Sequence, residues 1–523
     1  MKEIKPILLV VLASAIMIVA WPPIPTAMLL FVGLVPLFIL HHQLKNKKRK
    51  HLIYWSYSYL FFFLFNLGTT WWVWNASESG AIMMLFANSL LMSIPFLLFS
   101  ITNSYLPKTK HNSIIVYYLA FEYFHFNWNA SWPWLTLGKG LATYPWLIQW
   151  YEFTGEMGGT FLILLFNVWL FHIYINQNKK QLAYPIITMA LIIAISFSLR
   201  YFSYEEKNTA INCVVVQPNI DPYKEKFEGT PNYIYPDEQM NIALSIAKSL
   251  INPQTDLLLL PETALVGFNV ETNLNSLNAI EPLRKLTDSN KLTALIGSET
   301  IKVYESKEKP TVTARLDDYS GKWWDSYNTA LLIKNNRVDS IYHKSKLVPG
   351  VEKMPFSWLE KLSISLGGAS GSLGVSDKPI NFDINKKIKI APLICYESVF
   401  GDYATEFVKD GANTLAVITN DAWWGNTPGH KQHLLFGAIR CIETRREMVR
   451  SANTGISAKI NRYGEITHKT KFNEKIAFKC SLIPNNKLTF YVKYGNLIGK
   501  FSSYSAVFLI TAMIALFVKK KFN

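Results

Sequence analysis

The rhythm of apolar and polar positions changes once along this chain, near residue 200. Before that point, long apolar runs alternate with short polar breaks. They fall at roughly 6–20, 25–41, 52–74, 80–102, 113–127, 159–176 and 182–200, and an eighth follows at 499–518. A helix needs about 20 residues to cross a bilayer core of about 30 Å. These runs predict about eight transmembrane helices, the first, second and fifth being short for the task. Between 210 and 480 the apolar runs shrink to strand length. Asn212 to Val216, Asp256 to Leu260 and Leu292 to Gly297 read as strands. Tyr327 to Ile333 and Val338 to His343 flank the turn Lys334-Asn335-Asn336-Arg337 as a hairpin. Ile388 to Ile394 and Thr414 to Thr419 are further strands, and His430 to about Arg450 reads as a helix. Strands alternating with helices predict an α/β domain. The expected organisation is a seven-helix membrane domain over 1–200, an α/β domain over 201–490, and a last membrane helix with a basic tail over 491–523.

Composition agrees with a membrane part joined to a water-facing part. Half of the 523 residues are hydrophobic and 17% are charged, too apolar for an ordinary soluble enzyme and too polar for a chain wholly in lipid. The first apolar run follows Lys2 and Lys5 and holds Ala13-Ser14-Ala15, as a signal peptide would. It turns at once through Trp21-Pro22-Pro23 into another span, so it is expected to stay as a helix. The net charge of +16 comes largely from clusters between spans, with no basic motif of a nucleic-acid module; no nucleic acid is expected. The clusters are Lys45 to Lys50, Lys108 with Lys110, Lys179-Lys180, and Lys519-Lys520-Lys521. Cytoplasmic loops collect Lys and Arg. Eight crossings with the N-terminus inside put all four clusters in the cytoplasm and residues 201–498 outside it. Trp128, Trp132, Trp134, Trp146 and Trp150 then fall on the outer side. They are expected at headgroup depth, as an anchoring belt or as the rim of a surface that admits lipid.

The candidate chemistry lies at strand ends, where sheet folds often carry it. Glu262 follows the Leu run as Pro261-Glu262-Thr263, Lys344 follows the hairpin as Tyr342-His343-Lys344, and Cys395 ends a strand as Ile394-Cys395-Tyr396. Singly, such residues are ordinary: a Cys after an apolar strand is usually core, and a Glu or Lys is usually solvated. Together they make a nucleophilic site. A carboxylate can take the thiol proton, and an ammonium can face the oxyanion at an attacked carbonyl. The four cysteines contain no CxxC pair, which argues against zinc and dithiol chemistry. Cys213, Cys441 and Cys480 are expected to be structural. Asp421, Trp423, Trp424 and His433 read as scaffold and pocket lining; no metal or cofactor is expected.

With these residues in hand, the chain resembles the bacterial apolipoprotein N-acyltransferases of the nitrilase, or carbon–nitrogen hydrolase, superfamily. The matching stretches are Gln217-Pro218-Asn219-Ile220, Pro261-Glu262-Thr263-Ala264, Tyr342 to Pro349, Ile394-Cys395-Tyr396-Glu397, Thr419 to Gly425, Gln432-His433-Leu434 and Arg450 to Ser457. In the membrane part they are Phe121-Glu122-Tyr123 and Trp132 to Leu135. The resemblance implies an αββα sandwich between seven leading helices and a final one, with a Glu262, Lys344, Cys395 triad. It implies acyl transfer from a glycerophospholipid, through a Cys thioester, to the α-amine of a diacylglyceryl-modified lipoprotein N-terminus, on the periplasmic side of the inner membrane. Glu352, Tyr396 and Glu397 carry over as supporting residues, and Trp423 and Trp424 as substrate-lining. The family's Trp in the loop after the Gln-Asn-Ile stretch has no clear equivalent; Phe227 is the nearest aromatic. The chain also departs from the pattern with Gly350-Val351 before Glu352 and with Lys346 where the family often has His.

The competing reading is a membrane-tethered amidase using the same triad, but one or two helices would serve a tether. A transporter would be expected to show more ionisable groups at mid-span than Glu122 and His125. A monomer is expected. The charge pattern makes a direct prediction: reporter fusions after residues 178 and 300 give cytoplasmic and extracytoplasmic signals respectively. A cytoplasmic signal after residue 300 overturns this topology.

Overall fold

A computed structural model describes residues 4–109, 111–202, 209–354, 356 and 373–522; Lys110 lies outside them. The chain divides into two compact units, Met1–Ser203 with Tyr494–Asn523, and Tyr204–Lys493.

The first unit is helical. Among the described residues a helix occupies each of the eight apolar runs: Pro6–Val19, Val35–Leu44, Lys50–Thr70, Glu78–Tyr105, Ser113–Phe126, Glu156–Asn176, Ala183–Tyr201 and Leu497–Phe522. Five segments are long and apolar enough to cross a membrane: Ala27–Leu44, Glu78–Tyr105, Glu156–Asn176, Lys179–Tyr201 and Leu497–Phe522. The eight crossings expected from the sequence exceed that number by including Pro6–Val19 and Ser113–Phe126, each 14 residues long, and Lys50–Thr70, whose three Tyr, two Ser, two Thr and one Asn lower its hydropathy. Backbone broken within an apolar setting must find internal partners. The break between Ala27–Phe31 and Val35–Leu44 does so through Asn167, whose Nδ2 donates to Leu30 O and whose Oδ1 accepts from Leu34 N, both at 2.8 Å. Trp134 does not contribute an exposed ring to a Trp belt. It is fully buried and packs on Trp72 and Trp132, with ring centroids 5.1 and 5.4 Å away.

The second unit is built on two sheets. Its strands are β1 Ile211–Gln217, β2 Leu257–Leu259, β3 Leu265–Val270, β4 Thr293–Tyr304, β5 Arg315–Leu316, β6 Trp323–Lys334, β7 Arg337–His343, β8 Phe382–Asn385, β9 Ile388–Ile394, β10 Thr414–Thr419, β11 Met448–Ala452, β12 Ala458–Ile460, β13 Ile466–Lys469 and β14 Ile476–Leu482. The first sheet runs β14-β1-β2-β4-β6-β5, with β3 on β4 and β7 on β6; the second runs β13-β12-β11-β10-β9-β8. Strands β1, β2 and β4 are mutually parallel, as are β9, β10 and β11. Parallel strands covered on both faces are apolar throughout, and every residue of β2 and β10 is buried.

Alternation in β1 assigns its faces. Val214 and Val216 join Met240, Ala243 and Leu283 of the helices Pro236–Lys248 and Glu281–Asn290 in one core. The other side of the sheet faces the second sheet: Gln217 Oε1 accepts from Ser457 Oγ at 2.8 Å and from Thr470 Oγ1 at 2.7 Å. Helices Gly401–Lys409 and Pro428–Thr444 accompany the second sheet. The nitrilase-type αββα sandwich expected from the resemblance is therefore present.

Two local features connect sequence to structure. The predicted hairpin turn is made by Asn335 and Asn336, both left-handed at φ 50° and 58°, the conformation that two-residue hairpins need and Asn tolerates. The helix predicted from His430 to about Arg450 is capped by Thr427 and starts at Pro428, but it stops at Thr444. Arg445 turns left-handed, and Met448–Ala452 becomes the buried strand β11.

Gly297 on β4 passes directly behind the Glu262 turn: a Cβ there would stand 2.5 Å from Glu262 Cα and 2.6 Å from Thr263 N. Gly297→Ala must push that turn forward. Overpacking of this kind costs about 1–3 kcal/mol. The variant is expected to unfold at lower temperature in detergent and to lose activity beyond the loss of folded protein; unchanged thermal stability contradicts the contact.

Candidate functional site

Three strand ends meet in the second unit. β2 leads through Leu260 and Pro261 to Glu262, β7 ends beside Lys344, and β9 ends at Cys395. All three side chains are buried, at 5%, 1% and 7% exposure. Lys344 Nζ donates to Glu262 Oε1 at 3.3 Å and to Glu352 Oε1 at 2.7 Å. Two carboxylates thus share one ammonium. Asn328 shares those two oxygens, and backbone N–H groups meet the other two. Asn328 Nδ2 donates to Glu262 Oε1 at 2.7 Å and to Glu352 Oε1 at 3.2 Å. Asn420 N donates to Glu262 Oε2 at 2.9 Å, and Val348 N to Glu352 Oε2 at 2.8 Å.

Electrostatics link Cys395 to this set. Burial works against the Lys344 ammonium, but Glu352, Glu262 and Cys395 outweigh it and raise its pKa. Burial, then the Glu262 charge, pushes the Cys395 thiol up, while Lys344 pulls it down. Burial wins, so the resting group is a thiol, and a base must take its proton before or during attack. Cys395 also has a left-handed backbone, φ 49°. A non-glycine residue rarely holds that conformation away from special sites.

The other predicted residues fall in distinct places. Glu352 touches the ammonium as described. Tyr396 is buried beside Phe400, rings 5.1 Å apart. Glu397 is an anchor for the turn: Oε2 accepts from Ile394 N at 2.8 Å, and Oε1 from Tyr342 Oη at 2.6 Å and Ser345 N at 2.7 Å. It therefore ties the Cys395 turn to the segment that carries Lys344. Phe227 and Trp423 come together, stacked at 5.9 Å, with Tyr223 edge-on to Trp423 at 5.4 Å. Trp424 instead packs edge-on against His433, 5.4 Å away. Cys213 and Cys480 face each other across β1 and β14, and Cys441 is buried.

Several members of the site were not singled out from the sequence. Asn328 sits in mid-strand on β6, where nothing local marks it. Lys226 lies in the charged run Tyr223 to Lys226 and reads as solvated, yet it is buried with Nζ 3.5 Å from Glu262 O. Burial lowers its pKa to about 8, against the pull of Glu299 and Glu262. Asp421 and His433, too far apart in sequence to be read as a pair, are in contact at 3.0 Å.

Comparison with known proteins gives the family. Residues 13–169 match the apolipoprotein N-acyltransferase N-terminal domain, and residues 216–478 match the carbon–nitrogen hydrolase family. The chain belongs to the carbon–nitrogen hydrolase family and, within it, to the apolipoprotein N-acyltransferases. An apolipoprotein N-acyltransferase of Chlorobaculum tepidum is 28% identical over 91% of this chain and 90% of its own length. One from Thermotoga maritima is 25% identical over 82% of this chain and 76% of its own. A Saccharomyces cerevisiae member of branch 10 of the nitrilase superfamily is 15% identical, with a TM-score of 0.36 over 54% of this chain and 93% of that one. An amidase from Nesterenkonia is 14% identical, with a TM-score of 0.36 over 56% and 95%. Family membership makes the chain a bacterial membrane acyltransferase.

Glu397 yields a pH prediction. Burial raises its carboxyl from 4.5 to about 7, against hydrogen bonds from Ile394 N, Tyr342 and Ser345 N. The folded state therefore holds this proton at pH values where the unfolded chain has lost it. Its contribution to stability is full below pH 4.5 and is lost as pH rises through 7, a change of about 3 kcal/mol at 1.36 kcal/mol per pH unit. Glu397→Gln is expected to flatten the fall in thermal stability between pH 5 and 8 relative to the parent protein. An unchanged slope shows that Glu397 does not carry it.

Proposed function

We propose that this protein moves a fatty acyl chain from a glycerophospholipid to the α-amine of an S-diacylglyceryl-cysteine at the N-terminus of an apolipoprotein, through a thioester on Cys395. The observation that carries this reading is the convergence of Glu262, Lys344 and Cys395 from three strand ends into one buried site. Glu262 takes the thiol proton as sulfur attacks the ester carbonyl. The carbon–sulfur bond forms, and the carbonyl π pair moves onto oxygen. Lys344 Nζ and the Tyr396 N–H hold that oxyanion. As the oxyanion collapses, the ester carbon–oxygen bond breaks and the proton on Glu262 passes to the departing lysophospholipid. In the second half, the neutral α-amine attacks the thioester, loses a proton to Glu262, and displaces the Cys395 thiolate, which takes that proton back.

Glu352 orients Lys344 through its 2.7 Å bond. The stacked pair Phe227 and Trp423 offers an apolar surface suited to an acyl chain. The basic clusters that bias residues 201–498 to the outer face of the inner membrane agree with this chemistry, because both lipid substrates are reached there.

Three variants test the assignment with defined phospholipid and intact-mass detection of the adduct. Cys395→Ala is expected to abolish the adduct in a protein that still inserts and folds; an adduct on Cys213, Cys441 or Cys480 refutes the reading. Glu262→Gln and Lys344→Ala are each expected to slow acylation by on the order of a hundredfold. The double variant should lose little more than the singles, since both serve one nucleophile. Near-normal acylation in either single variant removes that residue from the triad.

A further inference from the structure

Behind the turn that carries Cys395 lies a second buried polar set, on the side of the peptide away from the charged cluster's roles described above. His433, on helix Pro428–Thr444, is fully buried. Its Nε2 stands 3.0 Å from the carbonyl oxygen of Cys395. A carbonyl only accepts hydrogen bonds, so in the tautomer that serves this contact Nε2 carries the ring's hydrogen, with Ser398 Oγ also 3.0 Å away, and Nδ1 carries none. Ser398 Oγ donates to the same oxygen at 2.8 Å. The far side of the ring is held by Arg450: Nδ1 accepts from its terminal nitrogen 3.1 Å away, beside Asp421 Oδ1 at 3.0 Å. That Arg450 nitrogen donates to Asp421 Oδ2 at 2.6 Å, and Thr419 Oγ1 donates to Asp421 Oδ1 at 2.9 Å. Burial resists the Asp421 charge, but Arg450 and His433 overcome it and hold the carboxyl far below its ordinary range.

The packing leaves this set one arrangement. A Cβ on Gly455 would stand 2.9 Å from both Cβ and Oδ2 of Asp421, so the β11 side is closed. Trp424 closes the ring's edge. The chain thus runs from Asp421 after β10, through Arg450 on β11, to His433, and ends on one carbonyl: that of the left-handed residue Cys395.

A peptide unit is planar and trans, so its C=O and N–H point in opposite directions. The unit whose oxygen His433 and Ser398 grip is the one whose N–H belongs to Tyr396. Fixing the oxygen fixes the direction of that N–H. A hydrogen bond to the carbonyl also polarises the unit and strengthens its N–H as a donor. We propose that His433, oriented by Arg450, which Asp421 holds in turn, is a positioning residue that aims the Tyr396 N–H at the acyl oxyanion by holding the carbonyl of the Cys395–Tyr396 peptide; this rests on the reading of Cys395 as nucleophile. A set that served the fold alone would have no selective effect on one kind of reaction at sulfur.

That difference is measurable. Acylation passes through an oxyanion, whereas alkylation by iodoacetamide displaces iodide at a saturated carbon and forms none. The test uses the full-length protein in detergent, with dipalmitoyl phosphatidylethanolamine in mixed micelles as acyl donor. It reads two rates at Cys395: thioester formation and iodoacetamide alkylation. His433→Leu is expected to slow acylation by about thirtyfold or more, below the loss of a whole oxyanion donor, while alkylation changes less than about threefold. His433→Gln, whose amide can still donate to the carbonyl, is expected to recover most of the loss. Ser398→Ala removes the other bond to that oxygen in a smaller change; it is expected to slow acylation severalfold and spare alkylation, and it decides the matter if His433→Leu does not fold. Parallel loss of both rates, or normal acylation in His433→Leu or in Ser398→Ala, overturns the proposal. If acyl and alkyl adducts of the parent protein both map to another cysteine, the reading of Cys395 fails first, and the role of His433 falls with it.

Discussion

The site depends on one buried ammonium shared by two carboxylates. Taking charges out of water costs several kcal/mol per ion even after relaxation. Lys344, Glu262 and Glu352 offset that cost only because each keeps good partners: Lys344 has both carboxylates, and Asn328 bridges the same two oxygens. The remaining carboxylate oxygens are met by backbone N–H groups of Asn420 and Val348. Those partners come from β6, from the end of β10 and from the segment after β7. The ion set can therefore close only when both sheets are in register, so the sandwich and the chemistry constrain each other. Removing one member would leave a charge buried without its partner, which costs about 3–5 kcal/mol. Loss of activity in such variants has to be read against loss of folded protein.

The parts of this site that could be read from sequence are those with a local signature. Glu262 and Cys395 each follow a short apolar strand, where a polar residue is conspicuous, and Lys344 follows a hairpin with a clear turn. The hairpin turn was legible because Asn335-Asn336 suits left-handed backbone. What could not be read is what distance in the chain conceals. Asn328 lies in mid-strand, and only the register of β6 against its neighbours turns it to the carboxylates. Lys226 sits among charged residues and gives no sign of burial. The helix after His430 overran its true end because Arg445-Arg446-Glu447 resembles a solvated helical turn, whereas Arg446 is buried, donating to Ala412 O. Arg450 likewise reads as a surface charge until Asp421 is seen beside it. In the membrane unit, hydropathy located the helices, but it could not tell a buried Trp134 from a Trp with an exposed ring.

In the proposed reaction, proton transfer and charge stabilisation are one event. In the resting state Lys344 is held by two negative groups, and the nearby thiol is neutral because burial and Glu262 disfavour its charge. When Glu262 takes the thiol proton it becomes neutral, and its claim on Lys344 weakens. The negative charge reappears on the acyl oxygen, and the ammonium that faced Glu262 is available to it. The ion set therefore keeps its net charge while the position of that charge shifts. A dry site favours such a transfer, since little solvent has to reorganise.

This account also explains why a thiol with a raised pKa is no handicap. A thiolate stabilised at rest would place binding energy in the ground state, where it does not accelerate the chemical step. Here the thiol is left unstabilised until an ester carbonyl is at hand to receive the charge. The same arrangement protects a cysteine proposed to face an oxidising compartment, because the thiolate is the form that oxidants and other electrophiles attack. Burial at 7% exposure and a raised pKa thus serve one end in the proposed reaction: sulfur is slow toward electrophiles at large and fast when its proton has Glu262 as a destination and its electrons a bound acyl group.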